Sequence, residues 1–292
     1  MFRSVLALSL LTASVFSAAS DQATQVESLP LYYTDKGHAY VLADIDRQTQ
    51  MPMVLDTAAN FGVLPPTAKD TLVGSDANLK TINVQGAVGS SQLELLVAGT
   101  TKVGSSEVPQ LTYVLKDMRP LQAQDGRDLG IIGHGFLSQH CVAFDFKQNV
   151  LSLSPAQCSD AAVAGLRQAD FYIEEDFVKL KTSFNGQTVD AILDTAAPSS
   201  YVNRALFNTL DVAALEQDVA RGLNDESVAK NKIGSVSYLL GDVEITDRDM
   251  FVSDMPVFAH LGYEDKPVLL LGINYFKGNK LILDYHSNKI YF

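Results

Sequence analysis

The five residues Leu55-Asp56-Thr57-Ala58-Ala59 return, letter for letter, as Leu193-Asp194-Thr195-Ala196-Ala197. A long exact repeat of this kind restricts the chain to folds with two similar halves. In each copy the acid follows an apolar run, Met53-Val54-Leu55 or Ala191-Ile192-Leu193. Burying a carboxylate beside apolar neighbours is costly unless something pairs with it, so the repeat predicts that the two acids meet. The offset extends beyond the pentapeptide. Asp56 and Asp194 are 138 residues apart, while Gly133 and Gly272, Asp145 and Asp284, and Asn149 and Asn288 are each 139 apart. Landmarks that hold one offset within a residue read as an internal duplication.

The 292 residues are 47% hydrophobic, enough apolar matter for a core in each of two domains. Tyr, Phe, Val, Leu, Ile and Thr are plentiful, Gly and Pro interrupt often and Trp is absent, which leans towards short strands with tight turns. The boundaries read as a signal peptide at 1–19, a first lobe at 27–158, a linker at 159–170 and a second lobe at 171–292. The signal is read from Arg3, the apolar run Val5 to Phe16 and the small residues Ser17-Ala18-Ala19, with cleavage after Ala19. An uncleaved anchor or a buried helix is the other reading, although the run is short for a membrane span. Export to the periplasm or beyond is expected, with no membrane anchor after the signal is removed. The formal charge of −12 becomes −13 when Arg3 leaves with the signal. Such a surface repels nucleic acid and anionic membranes. A monomer is expected.

Along the chain, strands are expected at Leu31 to Tyr33, Tyr40 to Asp46, Met53 to Leu55 and Phe61 to Leu64, with a short helix at Thr67 to Val73. Gln85-Gly86-Ala87-Val88-Gly89-Ser90-Ser91 forms a glycine-rich tip between Thr81 to Val84 and Leu93 to Val97. Such a tip can bring its backbone close to a ligand, or can be an ordinary hairpin turn. Ile131-Ile132 reads as a buried strand closed by Gly133 and followed by a short helix. The second half repeats this order: Phe177 to Phe184, Val189 to Leu193, Ser200 to Val202, then a helical stretch from Asn203 through Val219. The counterpart of the glycine-rich tip is the segment around Gly222, and a last hairpin pairs Lys280 to Tyr285 with Lys289 to Phe292.

Cys141 and Cys158 flank a hairpin expected at Cys141 to Phe146 and Val150 to Ser154. Pairing Lys147 with Val150 would put Cys141 opposite Ala156, two residues short of Cys158. A disulfide in an exported protein and two separate buried thiols both fit this spacing. No metal or other cofactor is expected: His38, His134, His140, His260 and His286 have no spacing with Cys, Asp or Glu that suggests zinc, and they read as surface or structural residues. The segment Leu129 to Leu137 lacks the glycine order of a nucleotide site. Ser199-Ser200 lacks the elbow of a serine hydrolase.

An apolar-apolar-Asp-Thr strand end, a glycine-rich hairpin, a later apolar-apolar-Gly segment and a closing hairpin together resemble the retropepsin-like aspartic proteases. The stretch Ile131-Ile132-Gly133-His134-Gly135-Phe136-Leu137-Ser138-Gln139-His140-Cys141 is similar to that family. The resemblance covers about residues 30 to 292, with two units in one chain arranged as in bilobal pepsin-like enzymes. It implies a two-lobed all-β fold in which Asp56 and Asp194 form the catalytic dyad and share a water. Thr57 and Thr195 would tie the two active loops together. Ala58, Ala59, Ala196 and Ala197 would line the substrate, with Gly86, Ala87, Val88 and Gly89 as a flap and Gly222 in a second one. The implied activity is hydrolysis of a peptide or protein substrate, with neither metal nor covalent intermediate. One departure stands out: where the family has glycine after Asp-Thr, this chain has Ala58 and Ala196. A methyl group there crowds the site if the backbone needs positive φ, and is tolerated if φ is negative. The alternative function is therefore a peptide-binding protein on the same fold without turnover, and a third is a structural scaffold.

Overall fold

A computed structural model describes residues 27–47, 49–119, 121–221 and 227–292. The predicted signal peptide lies outside these residues. The first half runs through β1 (Ser28–Pro30), β2 (Tyr32–Tyr33), β3 (Ala39–Ile45), β4 (Thr49–Leu55), β5 (Gly62–Leu64), α1 (Thr67–Leu72), β6 (Thr81–Gln85), β7 (Ser90–Val103), β8 (Ser106–Leu115), β9 (Gly130–Ile132), α2 (His134–Leu137), β10 (Cys141–Asp145) and β11 (Val150–Ser154). After α3 (Asp160–Val163) come β12 (Gln168–Glu174), β13 (Phe177–Phe184), β14 (Gln187–Leu193), β15 (Ser200–Val202), α4 (Arg204–Phe207), β16 (Ala214–Arg221), β17 (Ser227–Ile233), β18 (Val236–Leu240), β19 (Val243–Asp247) and β20 (Met250–Val252). The chain then passes through α5 (Pro256–His260), β21 (Val268–Leu271), a 3-10 turn at Ile273–Phe276, β22 (Lys280–Asp284) and β23 (Lys289–Tyr291). The fold is all-β with short helices. Among the described residues no helix is long and apolar enough to cross a membrane.

The strands that matter most for the site are apolar on both faces. Met53, Val54 and Leu55 at the end of β4 are buried, as are Ala191, Ile192 and Leu193 at the end of β14. Continuous apolar runs of this kind suit strands covered on both sides and paired in parallel. Accordingly β4 pairs in parallel with β9, Leu55 opposite Ile132, and β14 with β21, Leu193 opposite Leu271. β5 lies antiparallel to β9 and parallel to β8, and β15 lies antiparallel to β21 and parallel to β20. The same crossing of strands thus surrounds each acid.

The halves are joined by a continuous run of strands in the order β1-β11-β10-β22-β23-β12. At its centre β10 and β22 pair antiparallel, with Cys141 opposite Asp284 and Asp145 opposite Lys280. Phe144, Leu151, Leu281, Leu283 and Ile290 belong to one apolar core that also takes in the interiors of both halves.

Three expectations change. The β10–β11 register places Asp145, not Lys147, opposite Val150, and Cys141 opposite Ser154. The longer turn forms because Asp145 Oδ1 accepts the Gln148 N–H at 2.9 Å and Asn149 takes a φ of 56°. Cys158 returns through the loop after β11 and is bonded to Cys141, with the Cα atoms 5.1 Å apart. The linker expected at 159–170 contains α3 and the start of β12, where Gln168, Ala169 and Asp170 pair with β23. The helix expected from Asn203 through Val219 stops at Phe207. Asn203 caps it by accepting the Leu206 N–H at 3.0 Å, and the residues from Ala214 onward form β16. Its helix-forming residues are overridden by pairing with β17, which satisfies the same backbone groups across a hairpin.

The disulfide closes a separation of 17 residues over the central sheet, where both cysteines pack with Ile282. Replacing both by alanine is expected to lower unfolding free energy by about 2–4 kcal/mol, read from urea titrations of parent and variant under non-reducing conditions.

Candidate active site

Asp56 and Asp194 stand where parallel pairing ends. The Asp56 N–H donates to Ile132 O and the Asp194 N–H to Leu271 O, both at 2.9 Å. The chain then turns sharply, and the glycine after each partner strand makes room for it. A Cβ on Gly133 would lie 2.3 Å from Ala59 O, and one on Gly272 would lie 2.4 Å from Ser199 O. The repeated apolar-apolar-Gly segments are therefore a steric requirement of the acid-bearing loops.

The two loops are laced together through their threonines. Thr57 Oγ1 donates to Leu193 O at 2.6 Å and accepts the Thr195 N–H at 3.1 Å. Thr195 Oγ1 donates to Leu55 O at 2.6 Å and accepts the Thr57 N–H at 3.1 Å. Both threonines are buried at 1% exposure, so each hydroxyl uses its donor and an acceptor lone pair across the junction between halves. Four cross-junction bonds hold the two acid-bearing loops beside each other.

The carboxylates are partly buried and not equivalent. Asp56 accepts one backbone N–H, from Ala58 at 2.7 Å, whereas Asp194 accepts two, from Ala196 and Ala197, both at 2.9 Å. Burial, then the Asp194 charge, pushes the Asp56 carboxyl well above the ordinary range, against the pull of the Ala58 N–H. Burial also raises Asp194, opposed by the N–H groups of Ala197 and Ala196. At a proton count of one, Asp56 is the natural holder and Asp194 the natural anion.

Ala58 and Ala196 do not occur among the described non-glycine residues with positive φ. Their backbones are in a region that alanine adopts without strain. Ala196 packs against the apolar cluster of the first half that includes Val54 and Ile131, and Ala58 against the cluster of the second half that includes Ile192 and Leu270. Each loop thus reaches into the opposite half.

The glycine-rich tip joins β6 to β7. Gly86 N–H donates to Gly89 O at 2.9 Å, Gly89 has a φ of 73°, and Gln85 Nε2 bonds both Gly86 O and Gly89 O. Ala87 O accepts the Val257 N–H of α5 at 3.3 Å, so the tip reaches the second half; Val88 beside it is buried. Gly222 lies outside the described residues.

Two contacts at the site carry no local sequence signal. His38 Nδ1 is 2.7 Å from Ala196 O, which can only accept, so this nitrogen bears the hydrogen. Asn60 Nδ2 donates to Glu175 O at 2.9 Å, tying the first acid loop to the turn after β12. Both partners lie more than 100 residues away in sequence, and only the folded junction brings them together. Among the described residues, no group of three or more His, Cys, Asp or Glu is placed to hold a metal ion. A cavity of 510 Å³ lined by Lys147, Arg167, Tyr275, Lys280 and Phe292 includes none of the predicted site residues.

Residues 180–275 match the family model described as aspartyl protease. That stretch includes Asp194, Thr195 and Gly272, the second copy of the motif and its partner strand. No match to a curated protein accompanies it.

Thr57→Val preserves shape but leaves Leu193 O without its donor and Thr195 N–H without its acceptor. It is expected to cost about 2–4 kcal/mol in denaturant unfolding, with most of the loss recovered by Thr57→Ser. A second expectation follows from the raised carboxyl groups. The raised carboxyl groups of the folded chain keep a proton that the unfolded chain releases above about pH 3.9. This contribution to stability is complete below that value and is lost as pH rises through the raised folded values. Asp56→Asn should therefore be more stable than the parent in denaturant unfolding at pH 7 and lose that margin at pH 3.

Proposed function

We propose that the chain is an aspartic-type endopeptidase in which Asp56 and Asp194, one from each half, activate a single water. The observation that carries this reading is the pair of partly buried carboxylates held together by reciprocal threonine bonds. The aspartyl protease match over residues 180–275 supports a protease-type function. Asp194 takes a proton from water as its oxygen attacks the peptide carbonyl carbon, and Asp56 gives its proton to the carbonyl oxygen. Collapse of the tetrahedral intermediate breaks the C–N bond, the proton held by Asp194 passing to the amine while one hydroxyl of the diol returns its proton to Asp56. Partly buried apolar side chains pack on the two clusters that receive the acid-bearing loops: Ile82, Val84, Leu95 and Leu121 in one half, Phe177, Tyr201 and Val228 in the other. The substrate on this reading is an extended peptide with apolar residues flanking the cleaved bond. Gly86, Ala87, Val88 and Gly89 lie over it as a flap.

The same reading includes an internal duplication, with the offset of 138 to 139 residues as its support. It also includes export, supported by the leader-like residues 1–19 and the Cys141–Cys158 bond, which suits an oxidising compartment. The protein acts as a monomer, since one chain contains both acids.

Hydrolysis of internally quenched peptides with apolar flanking residues is expected between about pH 3 and 6, falling at least about 10²-fold in Asp56→Asn and in Asp194→Asn. Activity that survives both substitutions would falsify the assignment. The second reading, a peptide binder without turnover, rests on Ala58 and Ala196. An inert parent that becomes active when both are changed to glycine would establish it instead. The negative φ at both positions favours turnover by the protein as it stands.

A further inference from the structure

Among the described residues, three buried side-chain polar atoms have no hydrogen-bond partner: Tyr285 Oη, His134 Nδ1 and Tyr238 Oη. The first two belong together. Tyr285, at the end of β22, sets its ring edge-on to the His134 ring, 5.8 Å between centres, and edge-on to Phe171 at 5.5 Å. His134 opens α2 directly beneath the first acid loop, its N–H donating to Ala59 O at 2.8 Å. That ring contact with His134 seats Tyr285 under the first acid loop, and ionisation of its hydroxyl is opposed by burial and then by the Asp56 charge.

Nothing in the fold itself calls for polar groups here. The residue 139 positions before Tyr285 is Phe146, which follows β10 as Tyr285 follows β22 and stacks on Phe144. The residue 139 positions after His134 is Ile273, whose N–H donates to Ala197 O at 2.9 Å just as His134 donates to Ala59 O. The Asp194 side of the site thus has an apolar pair where the Asp56 side has a tyrosine and a histidine. A buried hydroxyl and ring nitrogen left unpaired would each be destabilising, a penalty that Phe and Ile avoid.

We propose that Tyr285 and His134 form a polar floor beneath Asp56, with one water held between Oη and Nδ1 so that the Tyr285 O–H points toward the Asp56 carboxylate. Tyr285 is a positioning residue in this arrangement. His134 Nε2 faces Asp176 Oδ1 at 3.8 Å, which favours hydrogen on Nε2 and leaves Nδ1 as an acceptor. A water donating to Nδ1 and to Oη satisfies both atoms and leaves the tyrosine hydrogen for the acid. Around this floor the other ionisable groups are Asp194 across the dyad, Asp176 behind His134, and His286 and Asp284 on the tyrosine's own turn. Asp284 is already engaged by the His286 N–H, the Ser287 N–H and Ser287 Oγ. A donor dipole aimed at Asp56 favours the ionised dyad, so removing it raises both titration steps.

The catalytic role of Asp56 rests on the function proposed above, but the floor can be read without activity. Aspartate carboxyl carbons of the full chain, labelled with carbon-13, are titrated by NMR in the parent and in Tyr285→Phe. Both steps of the dyad are expected to move up by roughly 0.5 to 1 pH unit. His134→Leu should shift them in the same direction, the double variant no further than the larger single one, and His134→Asn, which keeps an acceptor near Nδ1, should restore the parent values. Steps that stay within about 0.2 unit of the parent in both Tyr285→Phe and His134→Leu overturn the proposal. So does a Tyr285→Phe variant that merely gains stability with its titration unmoved. Peptide hydrolysis measured alongside separates the two ideas: activity retained by Asp56→Asn would defeat the protease reading while the carboxyl titration still decides the role of Tyr285. Phe146 in the other half indicates that phenylalanine fits such a position, and His134→Leu supplies the measurement should Tyr285→Phe fail to fold.

Discussion

The crossed bonds of Thr57 and Thr195 are the contact on which the rest depends. Each threonine takes the carbonyl at the end of the opposite half's acid-bearing strand and offers its oxygen to the opposite threonine's N–H. Backbone groups at such a sharp turn would otherwise be buried without partners. The lacing removes that penalty and brings two carboxyl groups together that repel one another when both are ionised. The geometry of the acids is therefore set by hydrogen bonds made one residue away from them, and by the apolar strands that leave those loops nowhere else to go.

Given that frame, the two acids differ through small local means. Asp194 accepts two backbone N–H groups, which stabilise its anion, and Asp56 accepts one, from Ala58. The contacts around the loops differ as well: His38 bonds Ala196 O on one side, and Asn60 bonds Glu175 O on the other. Similar backbone paths thus present unlike electrostatic surroundings, which is what a pair of acids needs if one is to hold a proton while the other gives it up.

Much of this was legible in the residues. The pentapeptide, the apolar runs before it and the later Ile-Ile-Gly and Leu-Leu-Gly segments encode strands whose pairing is dictated by burial on both faces, and the observed strand crossings occur at those places. Local patterns failed where a distant partner decides. Asn203 to Val219 has helix-forming residues, yet its later part becomes a strand because β17 supplies its hydrogen bonds. The β10 register moved because the Asp145 side chain and a left-handed Asn149 favour a longer turn. His38, Asn60 and Tyr285 lie in ordinary turns, and what they touch is fixed only by the junction between halves.

The pairing of β10 with β22 joins segments about as far apart in sequence as the two acids themselves. Until β22 has been made, the first half carries β10 as an open strand edge, the kind of edge that invites wrong partners. Contacts over so long a separation close slowly compared with local ones. The acids themselves wait on the same separation, since Asp194 is made 138 residues after Asp56. The order of synthesis itself delays the site, so the growing chain passes through its most vulnerable, partly folded stages without it.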